Sequence, residues 1–99
     1  MTHISLSRVV VSHEGDNLYT FEYAAQVTET STTLVERFVE LGLIEPMGTM
    51  LRSRDITRIA QIQRLRRDLG INLVGAAIVL DMAQEIAQLR AQLQARQSQ

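Results

Sequence analysis

The feature that most constrains this chain is the spacing of apolar residues near its end. Gly75, Val79, Met82, Ile86, Leu89 and Leu93 follow one another at intervals of four, three, four, three and four residues. Such a 3.5-residue repeat puts one apolar stripe along a helix and lets that helix lie against another. Arg96 takes the next position of the repeat, so the seam covers under three heptads. A bare two-stranded coil of that length is marginal in water, and the helix must pack on something else as well. Val79, Met82, Ile86, Leu89 and Leu93 are expected to form a homodimer interface in preference to an intramolecular core, because an apolar stripe on a protruding helix needs cover.

The rest of the chain reads as short elements. Ile4 to Val11 begins with period-two alternation and ends in a β-branched run, which predicts one strand. Glu14-Gly-Asp-Asn17 then turns the chain. From Tyr19 the pattern is helical, with Thr20 as N-cap and Phe21, Ala24, Ala25 and Val27 as the apolar face. Thr28 to Thr32 interrupts it with hydroxyl side chains that compete for backbone hydrogen bonds. A cap at Thr32 or Thr33 opens a second helix faced by Leu34, Val35, Phe38 and Leu41, and Gly42 suits its left-handed terminator. Leu43-Ile-Glu-Pro46 cannot be helical to its end, and Met47 to Leu51 reads as a short link. A third helix, capped by Ser53 or Asp55, runs to about Leu69 on Ile56, Ile59, Ala60, Ile62 and Leu65, and Gly70 closes it. Asn72 starts the last helix, expected to reach about Gln94.

Ninety-nine residues with 45% apolar content support one modest core. No apolar run approaches the roughly 20 residues that cross a bilayer, and no basic and apolar leader pattern suggests export, so the cytoplasm is expected. The absence of cysteine excludes a disulfide framework, a thiolate zinc site and a thiol nucleophile. His3 and His13 are the only histidines and lack the further convergent ligands a metal needs; no metal or cofactor is expected. No nucleophile elbow, dinucleotide fingerprint or phosphate loop is present, so the chain is expected not to be an enzyme.

The net charge of −1 conceals an asymmetry. Residues 1–51 carry two arginines against seven acidic residues, a charge of −5, whereas residues 52–99 carry eight arginines against four acids, a charge of +4. Glu36 and Glu40 lie one turn apart on the second helix, and with Glu29 and Glu45 they are candidates for a partner-facing acidic surface. Arg52, Arg54, Arg58, Arg64, Arg66 and Arg67 do not share one face of the third helix. A solvated helix with internal pairing is expected there in preference to a phosphate or carboxylate site.

Two short helices around a tight turn, then Leu41-Gly-Leu-Ile-Glu-Pro46, then a helix ending Leu65-Arg-Arg-Asp-Leu-Gly70, resemble the helix-turn-helix modules of the MerR superfamily. Gly70 to Met82, continuing through Glu85 to Leu89, resembles the last-helix opening of two of its branches, HspR and the CbpM-like chaperone modulators. The likeness covers about Tyr19 to Leu93. It implies a mainly α fold: one short N-terminal strand region (1–18), a MerR-like module with a reduced wing (19–70) and a coiled-coil-type dimerisation helix (71–99).

Within the superfamily the departures point toward the CbpM-like branch. DNA-binding members carry basic and aromatic residues on the second helix and an arginine-bearing wing, because phosphate contacts supply affinity and orientation. Here Thr33 to Leu41 holds Glu36 and Glu40 beside one arginine, Arg37, and Met47 to Leu51 is uncharged. The CbpM-like resemblance implies binding to the J-domain of a DnaJ-like co-chaperone and inhibition of its activity. An acidic surface would complement the basic helical face that J-domains present to DnaK. One departure is Val74, where a proline commonly precedes the glycine; that proline is a helix-start device. The HspR-like alternative is a transcription regulator in which Arg37 and Arg8 touch DNA phosphates.

Overall fold

The computed structural model describes residues 9–11 and 17–97 of the chain. Its elements are β1 (Val9–Val11), β2 (Asn17–Tyr19), α1 (Phe21–Val27), α2 (Thr32–Glu40), β3 (Leu51–Arg52), α3 (Ser53–Leu69) and α4 (Leu73–Gln97). The fold is mainly helical, as expected, but the strand region differs from the expectation. Of the strand anticipated over 4–11, Val9–Val11 is seen and the remainder lies outside the described residues, as do Glu14 to Asp16 of the anticipated turn.

β1 is not alone. It pairs antiparallel with β2 in the register Val9 to Tyr19, Val10 to Leu18 and Val11 to Asn17, and β2 pairs antiparallel with β3, Leu18 opposite Arg52 and Tyr19 opposite Leu51. Asn17 and Tyr19, expected in a turn and at a helix start, are therefore strand residues. Strands of two or three residues have no periodicity of their own, so pairing rather than pattern creates them.

The anticipated link is a tight hairpin. Met47 and Met50 exchange backbone hydrogen bonds of 2.9 and 3.1 Å around Gly48 and Thr49. Gly48 has φ +65° and Thr49 does not have positive φ, the pattern of a type II′ turn that returns the chain directly into β3.

The helix boundaries follow from local capping. Thr20 Oγ1 accepts the Tyr23 N–H at 3.0 Å and opens α1. Ser31, not Thr32 or Thr33, caps α2, its Oγ accepting the Leu34 N–H at 3.1 Å. At α3 neither Ser53 nor Asp55 occupies the cap position. The helix begins at Ser53, and Asp55 reaches back to accept the backbone N–H of Arg52 at 2.9 Å, one half of a capping box. Asn72 Oδ1 accepts the Gly75 N–H at 2.7 Å and opens α4, which extends to Gln97, three residues beyond the expected end.

The ends of α1 and α2 share one motif. In α2, Leu43 N–H returns to Phe38 C=O and Gly42 N–H to Val39 C=O, with Gly42 at φ +73°. In α1, Thr30 N–H returns to Ala25 C=O and Glu29 N–H to Gln26 C=O, with Glu29 at φ +56°. Both are Schellman terminations, but in α1 a glutamate occupies the left-handed position that normally favours glycine.

The described chain divides into two compact units, one ending at Gln61 and the other beginning at Ile62, so the boundary falls within α3. In the first, Leu18, Ala24, Ala25, Val35, Phe38, Ile44, Leu51 and Ile59 are buried, and α1 packs on α2. Val27, Leu41 and Ala60, expected on apolar faces, are exposed; Val27 and Leu41 sit at or beside helix termini. In the second, Ile62, Ala76, Ala77 and Leu80 are buried. No single helix among the described residues is long and apolar enough to cross a membrane.

Candidate interaction surfaces

The first surface is the outer face of α2. Val35 and Phe38 fill the interior, and at about 100° per residue this turns Thr33, Glu36, Arg37 and Glu40 outward, where all four are exposed. Among the described residues, Glu36, Arg37 and Glu40 have no ion-pair partner. Their charges face solvent unneutralised, leaving a net negative helix face.

Glu29 and Glu45, the other two acidic candidates, are also exposed. They stand before and after α2, whose nine residues span roughly 13 Å. The four glutamates are thus candidates for an extended acidic edge rather than one compact cluster. Glu29 is held by the α1 termination, where Thr28 Oγ1 also donates to Ala24 C=O at 2.6 Å. Glu45 is held because its own carbonyl accepts from Arg52 Nη1 at 3.3 Å.

That last bond has a counterpart. Arg58 Nε donates to Leu43 C=O at 2.6 Å, so two arginines of the α3 region grip the carbonyls of the segment that follows α2. Arg52 also lies 3.9 Å from the buried Asp55 carboxylate. Further along α3, Arg64 pairs with Asp68 at 3.8 Å, and Arg66 donates to Gln63 at 3.2 Å. Four of the six arginines considered as phosphate or carboxylate ligands are thus engaged within the chain. Nothing in the sequence spacing marks the grip on Leu43 and Glu45, because it joins residues seven and fifteen positions apart.

For DNA contact, Arg37 is exposed on α2, while Arg8 lies outside the described residues, as do His3 and His13. The hairpin at Met47 to Met50 brings no charged side chain to that end of the sheet. No group of three potential metal ligands exists among the described residues.

The second surface is α4. Val79, Met82, Ile86, Leu89 and Leu93 are between 38% and 59% exposed, so the heptad seam is uncovered in the single chain. The residues α4 buries are others: Ala76, Ala77 and Leu80. At about 100° per residue, these three centre roughly opposite the seam on the helix circumference. The helix is therefore two-faced. Val74 and Ile78 are exposed beside the seam and widen its first half. Gly75 belongs to the cap as well as to the seam, since a Cβ there would come within 3.2 Å of Asn72 Oδ1.

A helix-turn-helix pair, a short antiparallel sheet ending in a tight hairpin, and a long terminal helix with an uncovered seam define a MerR-type regulatory module. Residues 19–96 match the family of MerR HTH regulatory proteins, and the chain belongs to it. It is also similar to the heat shock protein HspR of Streptomyces coelicolor, 30% identical over 83 residues, covering 79% of this chain and 55% of that protein. The chain thus spans about half the length of this curated relative. No solved structure matches it.

Proposed function

We propose that this chain is a cytoplasmic chaperone modulator that binds the J-domain of a DnaJ-like co-chaperone and lowers its co-chaperone activity. The observation that carries this reading is the exposed, unpaired acidic face of α2, Glu36 and Glu40 around a single Arg37, in a family whose fold otherwise presents this helix to DNA. A face of that charge gains little from releasing DNA counterions and complements a basic helix, with its main effect on encounter rate and specificity. The heat-shock relative supports the same physiological setting.

Titration calorimetry with the cognate J-domain tests it. Binding in the micromolar range or tighter is expected, and Glu36→Arg with Glu40→Arg weakens it in a salt-dependent way. No heat at high micromolar concentration overturns the reading. The family and the HspR relative favour a second one, a DNA-binding transcription regulator using Arg37 and Arg8. A gel shift on the chain's own promoter that weakens steeply with salt would establish it instead.

Either activity is served by a homodimer through α4, which the uncovered seam supports. Antiparallel pairing centred near Gln84 sets Gly75 against the partner's Leu93, Val79 against the partner's Leu89 and Met82 against the partner's Ile86. The two outer layers then join a smaller residue to a larger one, whereas parallel pairing would face Gly75 with its own copy and leave a void.

A further inference from the structure

We propose that Met82 is a reversible oxidation site whose sulfoxide opens the α4 pairing, an inference that rests on the homodimer reading above. The chain has no cysteine, so its methionine thioethers are the side chains open to reversible peroxide chemistry. Of the methionines, Met47 and Met50 belong to the hairpin, Met1 lies outside the described residues, and Met82 alone sits on the seam. It is also the most exposed of the large apolar residues, at 59%. Its sulfur is within reach of a small oxidant in the unpaired chain.

The chemistry requires only a peroxide. The thioether sulfur attacks one peroxide oxygen, the O–O bond breaks as the S–O bond forms, and sulfur gives up two electrons while the other oxygen leaves as water or an alcohol. The product is a chiral, strongly polar sulfoxide that thiol-dependent reductases return to the thioether.

The consequence follows from position. In the pairing centred near Gln84, Met82 meets the partner's Ile86 in both layers nearest the two-fold axis, and Val79 and Ile78 lie beside it on α4. These neighbours are apolar and offer no hydrogen-bond donor to a sulfoxide oxygen, so burying the oxidised side chain is unfavourable. Pairing in turn covers the sulfur, so oxidation proceeds from the free chain and traps it there. The interface of a modulator with this seam therefore responds to peroxide and to its own concentration together.

The test treats the full chain with hydrogen peroxide, maps added oxygen by peptide mass spectrometry and measures dimerisation by sedimentation, for the native chain and for Met82→Leu. The native chain is expected to gain one oxygen at Met82, faster when dilute, with its dimer dissociation constant rising at least tenfold, and to recover after enzymatic reduction. Met82→Leu, compared with its own untreated dissociation constant, is expected to show no change on treatment. Complete Met82 sulfoxidation with unchanged dimerisation overturns the proposal, and so does equal loss of the dimer in Met82→Leu, which would place the effect at Met1, Met47 or Met50. If both untreated proteins stay monomeric at millimolar concentration, the pairing itself is wrong and the proposal falls with it.

Discussion

The unit ending at Gln61 and the last helix treat their apolar residues in opposite ways. In the former, Val35, Phe38, Leu51 and Ile59 are completely buried, in a unit built from two packed helices, a hairpin and a three-stranded sheet. Along α4, five apolar residues in heptad register remain in solvent, and beyond Leu80 none of the described residues is buried. A region that buries its own large side chains draws its stability from within the chain. A helix whose stripe stays exposed gains most of its stability when a second surface covers it.

The sharpest way to break this contrast is inside the first region. Phe38→Ala removes the largest fully buried side chain and is expected to cost about 4 kcal/mol, enough to unfold much of the population, as read by urea denaturation. A loss below about 1 kcal/mol would mean that the interior of this unit is not what holds it.

On α4 the expected effect falls on association. Ile86→Asp puts a charge at the centre of the seam and should weaken dimerisation by about a hundredfold in sedimentation, roughly 2.7 kcal/mol, while the far-ultraviolet dichroism of the dilute chain hardly changes. If both oligomeric state and melting temperature were unaffected, the seam would not be an interface.

Two smaller predictions sharpen how the first region is built. Asp55→Ala removes the carboxylate that satisfies the Arg52 N–H and should destabilise by about 1 kcal/mol, with little effect on dimerisation. Glu29→Gly relieves a left-handed glutamate at the end of α1 and should stabilise by up to about 1 kcal/mol, raising the melting temperature. If the acidic edge contacts a J-domain, the same change weakens binding while it strengthens the fold. A Glu29→Gly variant that binds unchanged would remove Glu29 from that edge.

How much of this was legible in the sequence depends on how far apart the interacting groups lie. Thr20, Gly42, Gly70 and Asn72 act where their residue types predict, because a cap or a left-handed terminator is an interaction over three to five residues. Ser31 caps α2 in place of its neighbours Thr32 and Thr33, because three adjacent hydroxyl residues satisfy the same rule and only backbone conformation chooses among them. Glu29 carries no signal at all, because glutamate ordinarily avoids the left-handed region. The strand character of Asn17–Tyr19 and Leu51–Arg52 depends on a pairing across about thirty residues.

The acidic and apolar surfaces divide in the same way. That Glu36 and Glu40 share a face, and that Val79, Met82, Ile86, Leu89 and Leu93 form a stripe, follows from helical geometry and is determined by sequence alone. Which arginines are engaged was decided by the tertiary structure, through the carbonyls of Leu43 and Glu45. So was the choice of Ala76, Ala77 and Leu80 as the buried side of α4. Periodicity says which residues travel together around a helix, but the direction in which they face is set by what the folded chain leaves uncovered.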